Sequence, residues 1–207
     1  MNNRAQGVKF IAISFLFVKN RGHGGFDMKK LPIAQAFTLI EPGPVVFVTT
    51  NDGKKNNVMT LSWTMVMDFT PVFGMTTGPW NHSFAALEKS RECVLAIPGA
   101  DLIDKVVGVG TCSGADTDKF DKFKLTPMKS KKVGAPRIVE CLANIECTVV
   151  DIVKKHNIVV LEGLAAYVDR SRKEQRTLHA IGDGTFTVDG RKLNRRKLMM
   201  PVIPDGI

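Results

Sequence analysis

The chain has 207 residues, 44% of them hydrophobic and 24% charged, which argues against wholesale disorder. A chain of this length buries about 70% of its unfolded surface, so its core needs neither disulfides nor a structural metal. Its net charge is +9, from 29 Lys and Arg against 20 Asp and Glu. That excess fits an anionic partner (nucleic acid, a membrane surface or a phosphorylated small molecule) as well as it fits plain solubility.

The denser basic clusters are Lys129, Lys131 and Lys132, and a tail with Arg191, Lys192, Arg195, Arg196 and Lys197. Neither interleaves the aromatic residues on which single-stranded nucleic acid stacks, so nucleic acid is not the expected partner. The four cysteines, Cys93, Cys112, Cys141 and Cys147, form no C-x-x-C pair and have no histidine at ligand spacing. A metal site is therefore not expected, and a reduced, cytoplasmic protein is.

Residues 1–27 differ from the rest. The apolar run at residues 10–18 is shorter than the roughly 20 residues that span a bilayer. Lys19, Asn20 and Arg21 follow it directly, with no small-residue cleavage site, and Arg21-Gly-His-Gly-Gly25 reads as a linker. Two readings stand: a non-native or mis-started N-terminal extension before Met28, or an extra edge strand. The folded domain is expected over residues 28–207, with no membrane association.

Residues 44–50 (PVVFVTT) predict a buried strand, and Asn51-Asp52-Gly53 a hairpin turn. Residues 57–67 (NVMTLSWTMVM) predict one returning strand. Met59, Leu61, Trp63, Met65 and Met67 fall on one face, with Val58, Thr60, Ser62, Thr64 and Val66 on the other. A third strand is expected over 72–77, then a tight loop at 78–83, a short helix over 84–90 and a strand over 92–98. Asp101 is placed to cap a helix ending at Gly108 and Gly110, and Asp116 or Thr117 to cap another running to Phe123. Long β-branched strands follow at 145–153 and 158–169, joined by a turn at 154–157, with a bulge or close backbone approach at Gly163. A helix over 172–180, a strand over 186–188 and a turn at Asp189-Gly190 complete the pattern. It describes a mainly β barrel with a few short helices, and excludes a helical bundle or a doubly wound sheet.

No G-x-S-x-G, Walker, G-x-G-x-x-G or H-E-x-x-H motif occurs. Two segments stand out. Asn81-His82-Ser83 opens a helix, where free N–H groups and side-chain donors suit a phosphate; a plain cap by Asn81 or Ser83 is the competing reading. Asn57 to Trp63 offers Asn57, Thr60 and Ser62 beside the flat apolar wall of Trp63, which suits an edge-on heterocycle. Its competing reading is an ordinary strand with Trp63 in the core.

Taken in order, P-G-P-V (42–45), N-x-M-T-x-S-W (57–63), N-H-S (81–83), T-C-S-G-A-D-T-D-K-F (111–120), A-P-R-I-x-E-C (135–141) and His156 at the head of a strand resemble the flavin reductase-like family of FMN-binding split barrels, flavoredoxin group. The resemblance runs from about Met28 to the C-terminus. It implies a six-stranded antiparallel Greek-key split barrel, bound FMN, and a homodimer with the flavin at its interface. It assigns Asn57, Met59, Thr60, Leu61, Ser62 and Trp63 to the isoalloxazine strand, and Asn81 and Ser83 to the phosphate and ribityl region. Lys119 would be a cationic contact to the phosphate or the pyrimidine edge, and His156 and Phe186 groups reaching the flavin, from this chain or its partner. Because the flavin supplies the redox chemistry, no catalytic acid or nucleophile is expected. The implied function is a flavin reductase or electron-transfer flavoprotein, fed by NAD(P)H or by a protein donor. A basic barrel that binds nucleic acid or another anion without redox chemistry is the alternative.

Overall fold

The computed structural model describes residues 28–203, so the extension expected at 1–27 lies outside the described residues. The strands in chain order are β1 (Lys29–Leu31), β2 (Val46–Asn51), β3 (Asn56–Leu61), β4 (Thr64–Asp68), β5 (Val72–Thr76), β6 (Glu92–Ile97), β7 (Pro127–Met128), β8 (Arg137–Ile138), β9 (Ala143–Val153), β10 (Ile158–Val168), β11 (Leu178–Ala180) and β12 (Phe186–Val188). The α-helices are α1 (Ser83–Ser90), α2 (Ile103–Gly110), α3 (Lys119–Lys122) and α4 (Arg196–Met199).

One antiparallel sheet runs β3-β2-β6-β9-β10-β5-β4, with β1 also on β10. The strand expected over 57–67 is two strands. Up to Leu61 the chain pairs with β2, and from Thr64 it pairs with β5. Those partners lie at opposite ends of the sheet, yet only Ser62 and Trp63 join them. Two linking residues bridge only about 10 Å, so the sheet must curl until its ends meet. A barrel follows from that short link. It has eight strands rather than the expected six, because the 57–67 run divides and β1 adds to the sheet. The mainly β class stands.

Alternation along the strands sorts two cores. Val46 and Val48 of β2, Cys93, Leu95 and Ile97 of β6, and Ile145, Cys147 and Val149 of β9 face the barrel interior, closed by Phe37, Ile40, Phe84 and Leu87. The opposite faces, Phe47, Val58, Val94 and Ala96, are covered by Val106 and Val109 of α2, Phe120 of α3 and Ile138. Gly163 sits at a register shift in β10. Its N–H donates to the Pro71 carbonyl at 2.7 Å, and a Cβ there would stand 3.2 Å from Pro71 and 3.3 Å from Phe73.

Three local expectations are corrected. Residues 172–177 form no helix, because tertiary bonds take their backbone and side chains. Arg172 pairs with Asp101 at 2.6 Å, the Arg176 carbonyl accepts from Ala100 N, and Thr177 N donates to Asp189 Oδ2. Asp101 therefore caps nothing; a 3-10 turn over Ala100–Leu102 leads into α2. The cap of α3 is Asp118, which accepts from Asp121 N at 3.2 Å, one or two residues after the positions expected.

On the outer face of β9, Glu146 is fully buried. Its carboxylate accepts from Lys131 N at 3.0 Å and Lys132 N at 2.6 Å, and faces Arg137 Nε at 3.4 Å. The Arg137 guanidinium lies 4.2 Å from the centre of the Tyr167 ring and donates to the Lys129 carbonyl at 3.0 Å. Burial, and then the Glu146 charge, push the Tyr167 hydroxyl pKa up. This buried pair ties the 129–138 loop to the barrel. Removing one partner leaves a desolvated charge. Glu146→Ala is expected to cost ~3–5 kcal/mol in urea unfolding, with Glu146→Gln costing less because it still offers an acceptor to the loop amides.

Candidate functional site

Rolling the sheet brings β3 against the turn before α1 and the loop between α2 and α3. A cavity of about 280 Å³ opens between them. β3 contributes Asn57, Met59 and Thr60, the turn before α1 Trp80 to His82, α1 Ser83, the end of α2 Val109 and Gly110, the α2–α3 loop Thr111 to Gly114, and α3 Lys119.

Asn57, Asn81 and Thr60 are each held by a partner. Asn57 Nδ2 donates to Ser83 Oγ at 2.9 Å, and Asn81 Nδ2 to Thr77 Oγ1 at 3.1 Å. Neither Asn81 nor Ser83 therefore caps α1; His82 occupies the N-cap position and makes no side-chain cap bond. The first amides of α1 keep no side-chain acceptor of their own, and Ser83 retains a hydroxyl proton to donate. Thr60 Oγ1 donates to the Val106 carbonyl at 2.7 Å, which joins β3 to α2. Gly114 packs directly on the Asn57 amide, so that a Cβ would collide with it, and Gly110 faces Thr60. Backbone thus approaches β3 where side chains could not.

The electrostatic centre is Lys119. Its side chain is only 6% exposed, and Nζ donates to the Val109 carbonyl at 2.8 Å. Among the described residues no carboxylate pairs with it. Burial pushes its pKa below the ordinary lysine value, partly opposed by Cys112. A buried ammonium with one neutral acceptor, on the wall of a polar cavity beside the start of a helix, is a site shaped for an anion.

Of the residues the sequence singled out, Asn57, Met59, Thr60, Asn81, Ser83 and Lys119 line this cavity together. The others lie outside it. Leu61 packs against the barrel core, Ser62 is half-buried in the strand link, and Trp63 is 68% exposed. His156 is exposed at the 3-10 turn between β9 and β10, and Phe186 packs on the outer core. The cavity also takes in Trp80, Thr111, Cys112 and Gly114, which sequence reading did not place there. Gly114 carried a signal, since a glycine inside a polar loop motif invites close backbone approach. Trp80 carried none beyond its place in a tight loop.

The model of the family described as "Flavin reductase like domain" matches residues 40–186. The chain belongs to this flavin reductase-like family. An uncharacterized protein of Archaeoglobus fulgidus is 36% identical over 116 residues, which cover 56% of this chain and 66% of that protein. The uncharacterized protein YddH of Escherichia coli is 26% identical over 182 residues, covering 79% of this chain and 95% of its own length. Among solved structures, the FMN-binding domain of a flavin reductases-like enzyme from Shewanella baltica superposes with TM-score 0.76 at 21% identity, over 81% of this chain and 97% of that one. The flavoredoxin of Desulfovibrio vulgaris gives TM-score 0.68 at 21% identity, over 74% and 90%. At these identities the superpositions establish the shared fold.

The uncompensated charge of Lys119 generates a paired expectation for this family member. Lys119→Met removes a desolvated ammonium and should raise the ligand-free melting temperature by about 2–4 °C. The same change should abolish stabilisation by added anionic ligand. Thermal melts with and without ligand check both.

Proposed function

We propose that this chain is an FMN-binding oxidoreductase that works as a homodimer, with the phosphate and ribityl end of FMN in the cavity around Lys119. The observation that carries this reading is the buried, carboxylate-free ammonium facing polar groups from three separate elements. A phosphate supplies the counter-charge this ammonium lacks. Lys119 donates one N–H to Val109 and keeps two for the ligand. Ser83, positioned by Asn57, adds a neutral donor. The close approach at Gly114 leaves no room for a side chain there and fixes the Asn57 amide.

From Met59 the strand continues through Leu61, Ser62 and Trp63, which we assign to the isoalloxazine ring, outside the cavity. His156 and Phe186 lie away from the cavity in this chain, and we assign them to the site through the second copy. When bound, the flavin supplies the electron- and hydride-transfer chemistry itself. The protein's part is to hold the phosphate, orient the ring along β3 and shield it from water. The electron source is NAD(P)H acting at the flavin or a protein donor.

The phosphate role is tested by titrating FMN and riboflavin in parallel. FMN should bind at least about tenfold more tightly than riboflavin, and Lys119→Met should erase the difference. Equal affinity of the wild-type chain for both flavins would overturn the assignment. The pH dependence has a definite sign. A phosphate prefers protonated Lys119, whose pKa lies below the ordinary lysine value, so FMN affinity falls as pH rises through that lowered pKa. Lys119→Arg should retain binding and lose this fall. A chemical footprint adds a second check. Cys93, Cys141 and Cys147 are buried, whereas Cys112 is half-buried on the cavity wall. A maleimide should modify Cys112 alone in the folded chain, and FMN should slow that reaction.

A further inference from the structure

The outward face of the barrel beside β4 is apolar and acidic. Trp63 is 68% exposed, Met65 43% and Met67 49%, and the two methionine side chains lie over Gly74 of β5, where a Cβ would stand 3.0 Å from Met65. Cross-strand register puts Asp68 and Glu162 on either side of Val72, and Asp151 beside Val160, which faces Gly74. Asp68, Asp151 and Glu162 are all exposed. No residue of β4, β5, β9 or β10 is Lys or Arg. β4 is also the last strand of the sheet order, so its outer edge pairs with no strand among the described residues.

The opposite chemistry sits at the other end of the chain. After β12, residues 191–202 carry Arg191, Lys192, Arg195, Arg196 and Lys197 and no acid. Their apolar side chains stand in solvent: Leu193 64% exposed, Leu198 77%, Met199 50%, Met200 55% and Val202 64%. Within this arm α4 and a 3-10 turn over Met200–Val202 hold the apolar groups together. A short segment with five cations and five exposed apolar side chains is not stable in water by its own helix propensity and needs a surface that matches both.

We infer that the C-terminal arm of one chain docks on the β4 face of a second copy, its leucines and methionines against Met65 and Met67 and its cations against Asp68, Asp151 and Glu162. Charge complementarity points to this occupant, because a second copy of this chain carries both the acidic, apolar face and a basic, apolar arm that matches it. The inference rests on the homodimer reading above and specifies its contact. It also brings the partner's chain, through the segment that follows its Phe186, to the strand that continues from the cavity.

The test mixes chains carrying Leu198→Cys with chains carrying Met67→Cys and treats them with a short bis-maleimide. Each variant alone gives the background from Cys112, and light scattering and FMN titration are run on the same samples. The inference predicts a cross-linked dimer in the mixture well above either background. It also predicts that raising the salt from about 0.05 to 0.5 M lowers the yield, since this shortens the screening length severalfold. A dimer by light scattering without the mixed cross-link overturns the arm and leaves the FMN reading intact. A monomer that still binds FMN overturns the arm and the dimer together. Absence of the cross-link with sedimentation on phosphatidylserine vesicles overturns it in favour of a membrane-facing arm. A mixed cross-link in a chain that fails to bind FMN upholds the arm and removes the flavin reading.

Discussion

Everything in this molecule hangs on a link of two residues. Ser62 and Trp63 connect strands that belong to opposite ends of the sheet, so the sheet has to roll up. Rolling gives the inward faces of β2, β6 and β9 a common interior and leaves the outward faces to α2, α3 and the 125–141 segment. It also sets the course of the N-x-M-T-x-S-W run. The first half of that run is a cavity wall, and the second half turns onto an exposed face. Hydrophobic burial drives the closure, while the short link determines which edges meet.

The cavity is built around an electrostatic deficit. The protein buries the ammonium of Lys119 beside a single carbonyl and accepts the cost of its desolvation. Asn57, Asn81 and Thr60 beside it are each committed to one partner, which positions them before any ligand arrives. Gly114 makes this possible, because the Asn57 amide occupies the space of its missing side chain. The Glu146–Arg137 pair does related work at the outer face of β9, but there the charge is answered within the protein and the product is a fixed loop.

Much of this was legible in the residues. β-branched runs located β2, β6, β9 and β10, and the polar loop motifs located the walls of the cavity. Period-two alternation could not show the division of residues 57–67, because apolar side chains alternate straight through the point where the strand changes partners. The helix expected over 172–180 failed because Arg172 and Thr177 are bound by Asp101 and Asp189, contacts distant in sequence. Trp80 entered the cavity through a turn whose shape depends on Gly78 and Thr77, and composition carries no trace of that. Trp63 reads as a core residue on periodicity, yet it is exposed because it sits in the link where the chain leaves β3 for β4.

The central claim is that the cavity beside Lys119 holds a redox-active flavin. The most direct measurement is the absorbance spectrum of the purified chain, taken anaerobically before and after FMN is added, and again after NADH or NADPH. The account predicts a yellow protein that retains one FMN per chain through gel filtration, with a flavin band that bleaches when a nicotinamide or a protein donor supplies electrons. A colourless chain that takes up no FMN would contradict it and would leave a basic barrel whose buried lysine serves some other anion.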